Sequence, residues 1–404
     1  MTKHRRIIGI LAVTQVVSWG TLYYAFSVLA PDMQRALGWR SEPLFGAFSW
    51  SLLISGLVAT PAGILLDRHG GRPVMGLGSL VAALSLFVLS QVQSIASYFL
   101  AWSIIGAAMA LVLYEAAFAT IIREFDTAAR KGISTLTLFG GLASTVFWPV
   151  TLKLNAWLGW RDTYLLYAAL HAGLCLPAHL LLSNRERKPS MAAPAVGVVR
   201  STLSDAVRHP VFWKLALAFA TNAFIFSALS VHLIPLLQRM GHAPGTVVFL
   251  ATLIGPMQVA GRIGEMVFAG RTQPQSVGKV TFALLPAALG ALILLGQQEW
   301  VVAVFCMLYG LSNGILTIVR GTVLQELFGR ENYGAISGAL AGPSLVAKAA
   351  GPLAMAAMLE GSASAPRALL VLLAFAIASL LLYLAAVRRR EQLQLPDSIM
   401  ETGA

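Results

Sequence analysis

Five ionisable side chains lie within long apolar stretches of the sequence: Lys348, Arg262, Glu115, Arg320 and His171. An ionisable group inside a membrane costs several kcal/mol unless it is paired, hydrated or bound to a ligand. Each of these side chains is therefore a candidate for binding or proton chemistry, and its neighbours indicate which.

Lys348 lies near the middle of its apolar stretch. Ala341, Ser344 and Gly351 share its helical face, and no acid lies within one turn. Because small side chains leave room for a ligand, the pattern predicts an ammonium group that binds an anion. An ion pair with another helix is the alternative.

Arg262 follows Gln258 by one turn and precedes Glu265 by three residues. A carboxylate at that spacing can pair with the guanidinium on one helix surface. A free guanidinium could instead bind a substrate carboxylate through two parallel hydrogen bonds. Both interpretations stay open, and Glu265 is either an ion-pair partner or a proton site.

Glu115 is either a proton site or the structural partner of Arg262, Arg320 or Lys348. Arg320 lies one turn from a segment end, where a long cationic side chain is expected to snorkel to the interface. His171 has no acid three or four residues away and is expected to be packed and neutral. Polar and aromatic residues could complete a cavity with these charges, although such residues more often pack or anchor helices: Gln15, Trp19, Tyr23, Phe26, Tyr114, Trp148, Asn222, Tyr309 and Asn313.

The composition indicates that lipid is the main solvent. Of 404 residues, 57% are hydrophobic and 11% are charged, against about 25% charged in soluble domains. The net charge of +12 comes from Lys and Arg at the ends of apolar segments, which excludes a nucleic-acid-binding pattern. Cys175 and Cys306 lie inside apolar segments and are expected to be buried hydrophobes. The basic, apolar N-terminus lacks a cleavage site and predicts a retained first helix.

The apolar windows predict an all-α membrane protein with twelve transmembrane helices in two six-helix pseudo-repeats. Nineteen Lys and Arg residues lie in connections on one side and six on the other, which predicts cytoplasmic termini. The predicted segments are 7–29, 44–66, 73–92, 97–122, 133–153, 163–182, 211–237, 246–268, 278–296, 300–323, 333–358 and 367–387.

A polar, basic connection divides the chain into halves. We predict an N-terminal bundle over 1–182, a cytoplasmic linker over 183–210 and a C-terminal bundle with a short cytoplasmic tail over 211–404. PDMQR at 31–35 and PLLQR at 235–239 close the first helix of each half. Parallel repeats of this kind place a binding site at their interface near the membrane midplane.

The stretch GILLDRHGGRP at 63–73 resembles the G-x-x-x-D-R-x-G-R loop of the major facilitator superfamily. Gly63, Asp67, Arg68, Gly70 or Gly71, and Arg72 fill its positions. The counterpart GRIGEMVFAGR at 261–271 has Phe268 near the place of an acid, and Gly-Trp-Arg at 159–161 and 38–40 is also typical of the superfamily. The resemblance implies a transporter that works by alternating access.

The loop predicts a gating contact, with a solvated turn as the alternative. Asp67 lies at a helix end, where an acid can dock against the N-terminus of another helix. Arg72 could pair with Glu124 or Asp126 after the fourth helix. Gly63, Asp67, Arg68 and Arg72 are therefore the predicted gating residues.

Arg262 with Lys348 resembles a narrower branch, the oxalate:formate antiporters and monocarboxylate transporters, as does Tyr24-Ala25-Phe26. The resemblance implies that Arg262 and Lys348 face a central cavity, as the corresponding cations do in that branch. Gln258 stands where the branch has an Asp, and Val28 stands near the place of a Lys. These departures remove the groups through which the branch would couple to protons.

The predicted function is a secondary active transporter of a small organic anion. The substrate-binding candidates are Arg262, Lys348, Gln258, Tyr23, Trp19 and Asn313, with a proton or an exchanged anion as the coupling partner. An exporter of drugs or other hydrophobic compounds is the alternative, although GGLASTVFWP at 140–149 does not fit the Gly-rich run of drug/proton antiporters. A non-transporting membrane receptor is a more remote alternative. We expect no enzyme activity, cofactor, metal or nucleic-acid partner, and a monomer in the cell membrane.

Overall fold

The computed structural model describes residues 3–125, 128–183, 201–268, 272–359 and 364–393, and within these ranges the regular elements are helices. Ten helical spans there are long and apolar enough to cross a membrane. One of them, Ala129–Leu180, is two helices, because Gly159 interrupts it with a φ of 77°. Tyr333–Met358, whose glycines, prolines and Lys348 make it less apolar, completes the twelve predicted membrane helices.

In chain order the membrane helices are α1 (Lys3–Leu37), α2 (Ser41–His69), α3 (Gly71–Ser90), α4 (Ile95–Glu124), α5 (129–158), α6 (160–180), α7 (Pro210–Arg239), α8 (Pro244–Phe268), α9 (Pro274–Leu295), α10 (Glu299–Phe328), α11 (Tyr333–Met358) and α12 (Ser364–Leu393). A short helix, Leu203–Arg208, precedes α7. Most helices extend beyond the predicted apolar windows, since a helix keeps its backbone hydrogen bonds after it leaves the hydrocarbon. The largest difference is at α1, which continues through Pro31 to Leu37.

Glycines with positive φ end the first helix of each half and the fifth. Gly38 has a φ of 67° after α1, and Gly241 has a φ of 100° after α7. Each follows, within three residues, one of the similar segments PDMQR at 31–35 and PLLQR at 235–239. Gly159 makes the sharp turn between α5 and α6. Arg161 then donates to the carbonyls of Ser90 and Val92 at 2.6 and 2.9 Å, which ties α6 to the end of α3.

The two halves share a buried core at one end of the molecule. We call this the linker end, defined by Lys3, Leu180 and Pro210. One apolar cluster joins Phe118 of α4 to Ile318 and Ile336 of the second half, all toward the linker end. A second cluster lies wholly within residues 225–376, toward the opposite end. The described helices are therefore packed across the two halves at the linker end.

The backbones of α2 in the first half and α11 in the second come into direct contact. A Cβ on Gly63 would overlap the carbonyl of Gly334, and a Cβ on Gly338 would overlap the carbonyl of Ala59. Small residues four apart on both helices thus allow backbone-to-backbone contact, as in other membrane helix pairs.

Replacing Gly63 with leucine should separate α2 from α11, because the new side chain cannot share space with the Gly334 carbonyl. Overpacking of this kind costs about 1–3 kcal/mol, so we expect roughly tenfold faster amide exchange in 59–67 and 334–345 of the purified protein. Gly46→Leu on the same helix is the control, since a Cβ there meets only Phe99 at 3.9 Å. Equal exchange in the two variants would contradict the close contact.

Candidate functional site

Asp67 makes a contact between the halves at the linker end. Its Oδ1 accepts the Gly334 N–H at 3.0 Å, and its Oδ2 accepts the Ala335 N–H at 2.8 Å. These amides belong to the first turn of α11, where they have no partner within the helix and carry the positive end of its dipole. The acid therefore docks on the helix N-terminus that its position suggested.

Two arginines bond the carbonyls at nearby helix ends. Arg330, between α10 and α11, donates to the carbonyl of Ile122 at 2.7 Å and to that of Phe125, so it joins the second half to the end of α4. Arg123 donates to the carbonyls of Leu66 at 3.2 Å and of Asp67. Neither role is evident from the sequence, because a basic residue at a segment end also fits a simple topology signal.

Glu265 is paired across the halves and not with Arg262. Arg130 of α5 donates Nε and Nη2 to Oε1 of Glu265 at 2.9 and 2.8 Å. The Ser134 hydroxyl donates to Oε2 at 2.6 Å. The local Arg262–Glu265 pair is therefore wrong: the carboxylate is buried and its oxygens are occupied by α5.

Arg68 and Arg72 are exposed, and neither makes an ion pair with a residue that the structure describes. Glu124, one predicted partner of Arg72, is bonded to Lys3 at 3.0 Å and to the Ser183 hydroxyl at 2.6 Å. The Arg72–Glu124 pair is therefore not formed. Asp126, the other predicted partner, lies outside the described residues.

Arg262 is buried between α8 and the first half, with 7% of its surface exposed. Its guanidinium lies against Gly141, where any side chain would overlap it. Tyr24 and Tyr114 lie within its electrostatic range. Its Nε is buried and has no hydrogen-bond partner within the described chain, which leaves a donor available in a site of low polarity.

Glu115 and Arg320 form an ion pair between α4 and α10, and each side chain is about one-fifth exposed. Arg320 is one of the three predicted structural partners of Glu115, and the structure forms that pair. The expectation that Arg320 snorkels to the interface is wrong, since an acid on the opposite half bonds it. Lys348 is half-buried within electrostatic range of both groups. Its ammonium group makes no ion pair with any described residue.

The position of Lys348 depends on α7. Pro352 has no N–H to bond the carbonyl four residues earlier, which is that of Lys348. The Ser227 hydroxyl of α7 donates to this carbonyl at 2.6 Å, and His232 bonds the Pro352 carbonyl at 3.0 Å. The proline therefore opens the backbone of α11 at the lysine, and α7 satisfies it.

Tyr114, which lies within electrostatic range of Arg262, belongs to an aromatic group of the first half. Trp19 has ring centroids 5.4 Å from Tyr23 and 5.0 Å from Tyr114, and Tyr23 is 5.3 Å from Phe48. The Trp19 Nε1 is buried without a hydrogen-bond partner among the described groups. A π-helical turn, Gly20–Tyr24, places Tyr23 and Tyr24 after Trp19.

The remaining sequence candidates divide into half-buried and packed residues. Gln258 and Asn313 are half-buried on α8 and α10. Gln15 is fully buried and donates to the carbonyl of Val112, next to the break in α4, so its role there is structural. His171 is fully buried and shares a hydrogen bond of 2.8 Å with Thr21, consistent with a packed histidine. Tyr309 is also packed, with its hydroxyl donated to the carbonyl of Phe226 at 3.0 Å.

Removing one partner of the central ion pair should be more costly than removing both. Glu115→Gln leaves Arg320 beside Lys348 without an acid, so the apparent melting temperature of the purified protein should fall. Glu115→Gln/Arg320→Gln should recover part of that loss, with a coupling of about 0.5–3 kcal/mol. The exposed Arg40–Glu42 pair, with side chains 85% and 67% exposed, gives the control cycle and should show little coupling. Additive effects at Glu115 and Arg320 would argue against the pair.

Comparisons with known proteins agree with this architecture. The Major Facilitator Superfamily profile matches residues 11–341. Monocarboxylate transporter 13 of Bos taurus is 25% identical over 274 residues, which are 67% of this chain but only 63% of that protein's length. The uncharacterized MFS-type transporter YhjX of Escherichia coli (strain K12) is 24% identical over 346 residues, 82% of each chain. The crystal structure of the human organic anion transporter MFSD10 (TETRAN) has a TM-score of 0.71 and 18% identity, covering 95% of this chain and 100% of its own, which is a likeness of fold. Because the profile covers most of its length, the chain belongs to the Major Facilitator Superfamily, a family of multi-pass membrane transporters and not of enzymes.

Proposed function

We propose that this protein is a secondary active transporter of a small organic anion, with a carboxylate as the binding group. The observation that carries the proposal is the buried guanidinium of Arg262, which lies between the halves without an acidic partner in the described chain. A guanidinium can hold a carboxylate through two parallel hydrogen bonds. A buried, unpaired cation of this kind is most stable when an anion occupies the site.

The charges near the centre support the same conclusion. Lys348 lies within electrostatic range of Arg320 and Glu115, and Arg262 is a further buried cation between the halves. Since Glu115 pairs with Arg320, two positive charges remain to be neutralised among these four residues. The proposed anion would be bound by both Arg262 and Lys348 and would neutralise them. Trp19, Tyr23, Gln258 and Asn313 are proposed to shape the site around it.

The relatives favour a carboxylate within the broader class of anions. Monocarboxylate transporter 13 carries that substrate class in its name, at 25% identity and over part of its length. Gln258 and Val28 stand where that branch has ionisable residues, so coupling through those positions is not expected here. Glu115 is the proposed proton site, and exchange of one anion for another is the alternative form of coupling.

The contacts at the linker end are proposed to act as a latch in alternating access. Asp67 of α2, bonded to α11, and Glu265 of α8, bonded to α5, would hold the linker end shut and release when it opens. Gly63 would set the approach of α2 to α11. Arg68 and Arg72 would keep this loop on the basic side of the membrane. We further propose that residues 1–182 and 211–404 are the moving halves, that 183–210 links them, that both termini are cytoplasmic in the cell membrane, and that the monomer is the working unit.

Uptake of labelled mono- and dicarboxylates into proteoliposomes tests the anion site. Arg262→Gln and Lys348→Gln should each reduce uptake at least tenfold, since losing a hydrogen bond to a charged group costs about 1.5–3 kcal/mol. Arg262→Lys should remain impaired, because a lysine cannot make the two parallel bonds. Arg40→Gln, an exposed cation near Glu42, is the control. Parent-like uptake by both cavity variants would exclude this site.

An exporter of hydrophobic compounds is the second candidate, and the aromatic group of Trp19, Tyr23 and Phe48 favours it. Ligands that bind the folded protein raise its apparent stability, by about 2.7 kcal/mol at a hundred times the dissociation constant. A thermal-shift panel of carboxylates, sugars and lipophilic cations therefore separates the candidates. We expect carboxylates to stabilise the parent but not Arg262→Gln. Stabilisation by lipophilic cations alone, unchanged in Arg262→Gln, would favour the exporter.

A further inference from the structure

A long groove lies between α1 and α5 of the first half. Its volume is about 760 Å³. On α1 it is lined at four-residue intervals, from Arg5 through Gly9 and Val13 to Val17. From Arg5 to Val17 this is about 18 Å at 1.5 Å per residue, close to the thickness of one leaflet, which is about 15 Å. The groove thus has the length of a single lipid tail.

The body of the groove is apolar and open. Val13 is 50% exposed, and Phe139 and Val146 of α5 are each 43% exposed. A Cβ on Gly9 would meet nothing within 4 Å, so the floor beside α1 is empty. The two helices approach again at the far end, where the Phe147 ring lies against Gly20. Exposed apolar side chains on a membrane helix face lipid tails. Val13, Phe139 and Val146 line a channel that fits one such tail.

The linker end of the groove is basic. His4, Arg5 and Lys131 line it there. Arg5 and Lys131 are exposed and make no ion pair with the residues that the structure describes, whereas neighbouring Lys3 is bonded to Glu124 at 3.0 Å. His4 stacks on Phe125 with ring centroids 4.2 Å apart, which holds it at the mouth. Two unneutralised cations above an apolar channel match a phosphate headgroup above an acyl chain.

We propose that this groove is a binding site for one acidic phospholipid. The phosphodiester and headgroup bind Arg5 and Lys131, and one acyl chain lies along Gly9, Val13 and Phe139. Basic pockets between membrane helices are suited to such headgroups, and each Lys or Arg near the surface strengthens binding roughly fivefold. The site lies outside the central charges of Arg262 and Lys348, so it is independent of the transported substrate.

Native mass spectrometry of the detergent-purified protein tests the site, with phosphatidylglycerol and phosphatidylcholine of identical acyl chains as probes. The first phosphatidylglycerol should bind the parent more tightly than phosphatidylcholine does. Arg5→Gln/Lys131→Gln should weaken it by about 25-fold, two steps of roughly fivefold. Lys153→Gln/Arg367→Gln, which removes two exposed cations from the opposite end, should bind as the parent does.

The acyl channel is tested separately. Gly9→Leu should weaken phosphatidylglycerol binding while it keeps the basic mouth, because the leucine fills the open floor. Gly290→Leu on α9, where a Cβ also meets nothing within 4 Å, is the matched control. Equal binding of the two lipids to the parent, or parent-like binding by both Gly9→Leu and Arg5→Gln/Lys131→Gln, would overturn the proposal.

Discussion

A charge buried among membrane helices needs a partner, and the partners of three acids connect the halves of this molecule. Asp67 of the first half bonds the N-terminus of α11. Glu115 of the first half bonds Arg320 of the second. Glu265 of the second half bonds Arg130 and Ser134 of the first. Under the proposed alternating access, separating the halves would remove these partners and would have to replace them with water or leave a costly unpaired charge.

Shape makes these bonds possible. Asp67 reaches the amides of Gly334 and Ala335 because Gly63 lets the backbones of α2 and α11 touch just before it. Membrane helices gain little from the hydrophobic effect on association and depend on close packing and polar contacts. The close packing at Gly63 and Gly334 and the hydrogen bonds of Asp67 therefore depend on each other. Gly63 and Asp67 belong to the same loop motif, since the glycine sets the distance between α2 and α11 that the Asp67 carboxylate must span.

The sequence predicted most of the fold, because apolar length alone determines how many helices cross a bilayer. Helix ends were less predictable: α1 continues past Pro31, which its apolar window did not indicate. The ion pairs were less predictable than the helices. Arg262 and Glu265 are close in sequence, yet Arg130 is the better partner because it approaches from another helix. Arg320 was predicted both to snorkel and to be one of three possible partners of Glu115; spacing along one helix does not report which helix packs against it, so only the packing of α4 against α10 selects the pair.

The two central cations are positioned by different means, and this bears on how an anion would act. Lys348 is held within its own half, because Ser227 bonds the carbonyl that Pro352 leaves free. Arg262 instead extends to the opposite half, where it packs on Gly141. Under the proposed function, an anion bound by both would draw the guanidinium from its contact with the first half or pull α5 along with it. Substrate binding and movement of the halves would then be coupled through Arg262, while Lys348 provides the fixed charge.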